Sequence, residues 1–225
     1  MSFSIQRFTR FHSLKFIYWC KTKLKFKSYG LDSSDDVSNI ILSTLGRSGS
    51  KYFRLNLDYN NILMFKRWNH FYPYEINQIV SNESNNVKVI FIFADPVEIV
   101  LSVLEREKDV GYEWVLQHYK NLKADINDHK SLLEMDGLRL EKMFDAFYKN
   151  QSFDLLTLNF DFIPYNLDVI SEFLGEKFIL YEKYKKRKLR FNTLNDDTKN
   201  IILRTYGNFS KKVSDASKAK IWNKI

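Results

Sequence analysis

Residues Ser38 to Phe53 read SNIILSTLGRSGSKYF, and this stretch decides the predicted fold. It opens with an apolar, β-branched run that is typical of a buried strand, and the run breaks at Gly46 into a loop of glycines, hydroxyls and one cation, Arg47. Such a loop cannot fill a core, but its backbone N–H groups can point at an anion. A helix that begins at Ser50 adds a dipole that favours negative charge at the same place. The stretch therefore predicts a strand, a phosphate-binding loop and a helix.

The loop is not a Walker A motif, because the sequence contains no Gly-x-x-x-x-Gly-Lys-Ser/Thr pattern. A nucleotide kinase of the P-loop class also needs an acidic residue at the end of a neighbouring strand to hold its magnesium ion, and no such strand end is evident. These two absences argue against a P-loop kinase.

The composition indicates one domain of ordinary size. The chain has 225 residues, and 44% of them are hydrophobic, which is enough for a large core. The single cysteine, Cys20, excludes an internal disulfide and a cysteine-based zinc site. No cluster of metal-ligating residues stands out in the sequence, so we expect no metal cofactor.

The first 30 residues differ from the rest of the chain, and we divide the protein into a basic aromatic segment, 1–30, and a domain, 31–225. The segment carries seven Lys and Arg and no Asp or Glu, against a net charge of +8 for the whole protein. It has no apolar run long enough to span a bilayer and no cleavage signal. Two interpretations stay open: a peripheral contact with a membrane or an acidic polymer, and a terminal element that packs its aromatic rings on the domain. We expect a cytoplasmic protein, with membrane association under the first interpretation.

Strands and helices alternate after residue 36, which predicts an α/β fold with a central, mainly parallel sheet in three α/β/α layers. Asp95 and Pro96 suit the N-cap and first position of a helix, and Gly175 suits a helix end. Ligands of such sheets bind beyond the carboxyl ends of the strands. The predicted strands are 37–45, 62–68, 87–93 and 153–160. The predicted helices are 50–60, 73–81, the one that begins at 96, 111–133, 139–149, 167–174 and 196–209.

Four segments together resemble the PAPS-dependent sulfotransferases, whose fold is like that of the P-loop NTPases. The segment STLGRSGSKYF (43–53) is similar to the family's phosphosulfate-binding loop, and VIFIFADPVEIVLSVLERE (89–107) is similar to its second motif, a strand, then Arg-Asp/Asn-Pro, then a helix with a serine. The segments GYEWVLQHYKNL (111–122) and LLTLNFDFIPYNLDVISEFLGEKF (155–178) resemble the helix and the later strand-and-helix block that follow. The order of the four segments agrees with the family.

The resemblance assigns residues to the cofactor PAPS and its product PAP. Arg47 takes the position of the family's loop cation, within a loop that holds the 5′-phosphosulfate and comprises Gly46, Arg47, Ser48, Gly49, Ser50 and Lys51. Ser102 takes the position of the serine that binds the 3′-phosphate, beside Asp95. Ala94 departs from the family, which has an arginine at this position. The basic run 185–190, with Lys186 and Arg187, lies where many members close a basic segment over the same phosphate and could compensate, although a solvated basic loop is the other interpretation.

The catalytic residues implied by the resemblance are His70, Lys66 and Arg47. The segment MFKRWNHFYP (64–73) corresponds to the family's Lys-Thr-His-x-x-Pro pattern, with two more residues between lysine and histidine. His70 has a suitable pKa for a general base at neutral pH, and Lys66 would lie over the transferring sulfuryl group. Other members use a carboxylate base, so Asp58 and Glu75 stay open as alternatives.

The resemblance therefore implies sulfuryl transfer from PAPS to an acceptor hydroxyl. The aromatic residues, 16% of the chain, and the basic surface favour a glycan acceptor, and we expect no nucleic-acid partner. The alternative is a non-catalytic relative that binds polyanions or membranes, an idea that depends on the missing arginine at Ala94.

Overall fold

The computed structural model describes residues 40–62, 64, 70–82, 87–111, 113, 133–149, 152–181, 184 and 191–223. All of these belong to the second of two compact units, Ser38–Ile225. The first unit, Met1–Val37, lies outside the described residues, so the predictions for the basic aromatic segment stay predictions. No helix in the described part of the chain has the length and apolar character needed to cross a membrane.

Four strands form one mixed sheet in the described residues, and they lie in the order β1-β2-β3-β4. The first three are parallel, with Leu42 opposite Ile90 and Ile90 opposite Leu156, and β4 pairs antiparallel with β3. The parallel strands are buried on both faces, which explains their nearly continuous apolar sequences. The strands are β1 (Ile40–Thr44), β2 (Lys88–Phe93), β3 (Asp154–Asn159) and β4 (Ala219–Trp222).

Helices connect the strands, so the predicted α/β class is confirmed. Two predicted helix ends are also confirmed. The carboxylate of Asp95 accepts hydrogen bonds from the backbone N–H groups of Val97 and Glu98, and Gly175 has a left-handed backbone, with φ 82°. The described helices are α1 (Ser50–Tyr59), α2 (Pro73–Asn82), α3 (Pro96–Val110), α4 (Leu140–Lys149), α5 (Leu167–Leu174) and α6 (Asp196–Asp215).

Some elements differ from the predictions. The sequence pattern did not indicate β4 or the 3-10 helix Phe160–Tyr165, and α6 extends six residues beyond the predicted end, to Asp215 rather than 209. Of the predicted strand 62–68, Met64 forms a parallel bridge with Ile40. The other residues of that strand, apart from Ile62, and most of the predicted helix 111–133 lie outside the described residues.

The register of the sheet brings three strand ends to one edge. Thr44 at the end of β1 lies opposite Ile92, and Phe93 at the end of β2 lies opposite Asn159. The carboxyl ends of β1, β2 and β3 therefore meet, and both sequence motifs follow strands that end at this edge. In open parallel sheets this is the edge where ligands bind.

Candidate functional site

The loop after β1 begins with a tight turn. The N–H of Leu45 donates to the carbonyl of Ile92, which extends the β1–β2 pairing, and the N–H of Ser48 then donates back to the carbonyl of Leu45 at 3.1 Å. Arg47 sits third in this four-residue turn with φ 63°, in the left-handed region that few residues other than glycine adopt. The turn thus reverses the chain within three residues of the strand end.

Ser48 anchors the loop to the sheet. Its side chain is fully buried, and its hydroxyl points at two carbonyl oxygens, those of Leu45 at 2.6 Å and Ile92 at 3.0 Å. The hydroxyl and the amide of Ser48 are thus both used within the protein. The contact between Ser48 and a cofactor stays a prediction, and the structure shows a positioning role for its side chain.

Gly49 joins the turn to α1 and lies under an aromatic ring. It is the N-cap of α1, with φ 86° and ψ 19°, and it has no side chain that could cap the helix. A Cβ atom at this position would lie 1.9 Å from Cε2 of Phe160. Both the backbone conformation and the close ring therefore require glycine. The amides of Ser50 and of Lys51, whose side chain is exposed, follow in the first turn and point toward the helix N-terminus.

Arg47 connects the two motifs. Its Nε–H donates to the hydroxyl oxygen of Ser102 over 3.1 Å, across 55 positions of sequence. Ser102 lies two turns into α3 and is 9% exposed, whereas Arg47 is half-buried. The structure therefore brings together the predicted loop cation and the predicted serine of the second motif.

Asp95 holds α3 in place. One of its carboxylate oxygens accepts from the amides of Val97, at 2.8 Å, and Glu98, at 3.4 Å. The other oxygen accepts a hydrogen bond from the hydroxyl of Ser210 in α6. The carboxylate is thus committed to helix capping and to the α3–α6 contact, and its predicted place beside a cofactor stays a prediction.

His70 contacts the end of β1 at Thr44, on the edge of the strand that does not pair with β2. Its Nδ1 is 2.8 Å from the carbonyl oxygen of Thr44, and because a carbonyl can only accept, Nδ1 carries a proton. In the neutral ring Nε2 is then an acceptor. Burial lowers the pKa of His70 below its usual value, although the hydrogen bond to Thr44 raises it. Ser43 steadies the same segment by donating to the carbonyl of Phe71 at 2.7 Å.

An aromatic cluster covers the loop, and sequence reasoning did not find it. The ring of Phe160, above Gly49, packs against the rings of Tyr52 at 5.9 Å and Tyr184 at 5.3 Å. The hydroxyl of Tyr184 donates to the carboxylate of Asp161. These contacts bring the chain just before the basic run 185–190 close to the loop, a placement that no local pattern indicates.

Helix α1 also holds the segment that leads to Tyr184. Asn60 exchanges hydrogen bonds with the backbone of Ile179, at 2.8 and 3.0 Å, and Asn56 accepts from the amide of Tyr181 at 2.9 Å. The two asparagines are four residues apart and therefore lie on one face of the helix. Through these bonds they hold the backbone of Ile179 and Tyr181 against α1.

The remaining predicted residues are more scattered. Glu75 accepts from the backbone N–H of Tyr72 at 2.9 Å and so caps α2, and Asp58 is exposed on α1. Lys66, Lys186 and Arg187 lie outside the described residues. Among the residues that are described, no three His, Cys, Asp or Glu side chains are grouped so that they could hold a metal ion.

Comparison of the chain with protein-family models, with curated proteins and with solved structures gives no match. The resemblance to sulfotransferases therefore depends on the motifs themselves and on where the fold places them.

Proposed function

We propose that the protein is a PAPS-dependent sulfotransferase with the three-layer α/β/α architecture of that family. The observation that carries this proposal is the 3.1 Å hydrogen bond between Arg47 and Ser102. Two motifs that resemble the same family in sequence, for the two phosphate ends of one nucleotide, meet in space at the ligand-binding edge of a parallel sheet. Parallel pairing of β1 and β2 brings the two segments to one edge in any case, so the support comes from the specific contact between the loop cation and the serine.

The residues present suit an anionic nucleotide. The amides at the start of α1 have no capping side chain from Gly49, and they lie at the positive end of the helix dipole. Arg47 and Lys51 add positive charge, and Ser102 adds a hydroxyl. Bound PAPS supplies an activated sulfuryl group whose leaving group is a phosphate. Donors already fixed in place at that phosphate stabilise the charge that it gains.

His70 is the proposed general base. The acceptor hydroxyl must lose a proton as its oxygen bonds to sulfur, and Nε2 of a neutral His70 can accept that proton. The hydrogen bond from Nδ1 to Thr44 fixes the ring and its tautomer. The lowered pKa keeps His70 neutral, and thus able to act as a base, at pH 7. We propose Lys66 as a further cation at the sulfuryl group on the resemblance alone.

A carbohydrate is the proposed acceptor. The rings of Tyr59 and Tyr181 pair at 5.7 Å and remain 50% and 56% exposed. Asn56, one turn from Tyr59, holds the amide of Tyr181. Exposed aromatic rings fixed in this way suit the apolar face of a sugar ring. Tyr59 ends α1, nine residues and about 14 Å from Ser50 beside the loop, so these rings would hold a distant unit of a long glycan rather than the reacting sugar.

Calorimetry with PAP and ATP tests the proposal directly. We expect the protein to bind PAP and to prefer it to ATP, and to transfer sulfuryl groups from PAPS to glycans in a radiolabel assay. Arg47→Ala should lower kcat/KM for PAPS by about one to two orders of magnitude with the fold intact, because a charge-assisted hydrogen bond to a phosphate of the nucleotide contributes about 1.5–3 kcal/mol. The control is Arg204→Ala, which removes an exposed cation of α6, outside both motifs.

The outcomes separate the two candidate functions. Normal PAP binding and activity in Arg47→Ala would show that the loop has been misassigned. No PAP binding by the folded wild type would instead favour the non-catalytic relative, which Ala94 already makes a specific alternative. Binding of heparin or anionic vesicles by that protein would then be the next measurement.

A further inference from the structure

The second motif has no positive charge in the part of its helix that runs from Pro96 through Ser102. Ala94 directly follows β2 and is 4% exposed, so its methyl group belongs to the core. The first turn of α3 contributes a carboxylate, Glu98, rather than a cation. Arg106, the first cation of the motif, lies one turn beyond Ser102, away from the strand ends, and it pairs with Asp109 at 3.5 Å. A phosphate between Ser102 and the start of α3 therefore draws its cation from another part of the chain.

The N-terminal amides of α3 do not take this role. The carboxylate of Asp95 already accepts from Val97 and Glu98, so an external anion would have to displace a built-in one. Ser102 lies four to five residues, somewhat more than one turn, farther along the helix than these amides. An anion beside Ser102 must therefore be bound by side chains.

Arg47 reaches this place from the loop. Its left-handed backbone, φ 63°, leads into a side chain that crosses from β1 to α3, where Nε contacts Ser102. A strained backbone at a residue with a long polar side chain is a common feature of ligand sites. The planar guanidinium can bind Ser102 through Nε and present a second N–H group to the same phosphate, which a lysine ammonium cannot do in this forked geometry.

We propose that Arg47 replaces the arginine missing at Ala94 and binds the 3′-phosphate of the nucleotide together with Ser102. Lys51, exposed in the first turn of α1, then supplies the positive charge at the 5′ end. This inference rests on the proposed function, since it assigns the two ends of PAP within that site. It makes Arg47 specific for a 3′-phosphate instead of a general loop cation.

Calorimetry with PAP and AMP tests the assignment, because AMP lacks the 3′-phosphate. Wild type should bind PAP at least about tenfold more tightly than AMP, the size of effect expected of one charge-assisted phosphate contact. Arg47→Lys keeps the charge and suits the loop, yet it should lose most of the preference for PAP and leave AMP affinity within about twofold. Lys51→Ala should weaken both ligands by a similar factor. Circular dichroism and the melting temperature check that each variant is folded. If Arg47→Lys does not fold, Arg47→Gln replaces it in the comparison of PAP with AMP.

A double-mutant cycle adds a second test. Ser102→Ala should also reduce the preference for PAP, and combining it with Arg47→Lys should cost less than the two separate losses together, because the residues act on one phosphate. Equal weakening of PAP and AMP in Arg47→Lys, or strictly additive losses in the cycle, would overturn the assignment. Binding of neither nucleotide by wild type is a different result, since it overturns the proposed function itself.

Discussion

Replacing Gly49 with alanine probes the packing that shapes the loop. Two costs add. The left-handed backbone of Gly49 costs a residue with a Cβ about 1–2 kcal/mol. The new methyl would lie 1.9 Å from Cε2 of Phe160, and crowding of this kind costs about 1–3 kcal/mol after relaxation. Phe160 is 7% exposed between Tyr52 and Tyr184, so its ring has little room to move. The free energy of unfolding should fall by about 2–5 kcal/mol.

Gly175→Ala is the matched control. Gly175 has nearly the same backbone, φ 82° and ψ 10°, and the nearest atom to a new Cβ is the end of a flexible side chain, Nζ of Lys88, at 4.0 Å. It should therefore show the backbone cost alone, about 1–2 kcal/mol. Urea unfolding of both variants gives the difference, which we expect to be about 1–3 kcal/mol in favour of Gly175→Ala. Equal losses in the two variants would refute the claim that Phe160 packs on the loop.

Two further predictions concern stability. Gly207 lies inside α6, and a Cβ there meets no atom within 4 Å. Gly207→Ala should therefore raise the free energy of unfolding by about 0.5–1 kcal/mol in urea, and a loss would show hidden crowding. Burial lowers the pKa of His70 in the folded protein below its ordinary value near 6.5. As the pH is lowered, the unfolded chain therefore binds the proton before the folded protein does. The free energy of unfolding then decreases by at most about 1.4 kcal/mol per pH unit until the folded pKa is reached. His70→Gln should lose less stability than wild type between about pH 7 and 5.5, and parallel losses would contradict a buried neutral histidine.

Local chemistry explains which parts of the fold could be predicted. Asp95 followed by Pro96 indicates a helix start, and Gly175 indicates a helix end, because each acts on its own neighbouring backbone groups. The buried parallel strands could be predicted equally well from the sequence, since both of their faces require apolar residues. By contrast, β4 has only four residues, none fully buried, and Lys218 and Lys220 flank Ala219, so the strand has little apolar signal before it pairs with β3.

Contacts between distant segments explain what could not be predicted in the candidate site. The sequence identified Arg47 and Ser102 separately by resemblance, but nothing local shows that the two side chains touch. Phe160 was read as the end of a strand, and its place above Gly49 depends on how the 3-10 helix turns after β3. Similarly, Asn56 gives no sign in the sequence that it binds the backbone of Tyr181, which is 125 positions away.

The end of β1 sets the positions of both proposed chemical groups. On one side, the carbonyl of Thr44 orients His70. On the other side, Ser48 ties the loop to the carbonyl of Ile92 in β2, and the turn between them places Arg47 against α3. The side chains of Thr44 and Ser48 are both fully buried, so neither attachment can shift without disturbing the sheet. A proton acceptor and an anion-binding cation held by one rigid strand end keep a fixed separation before any substrate arrives, and such preorganisation is what transfer between two bound oxygens requires.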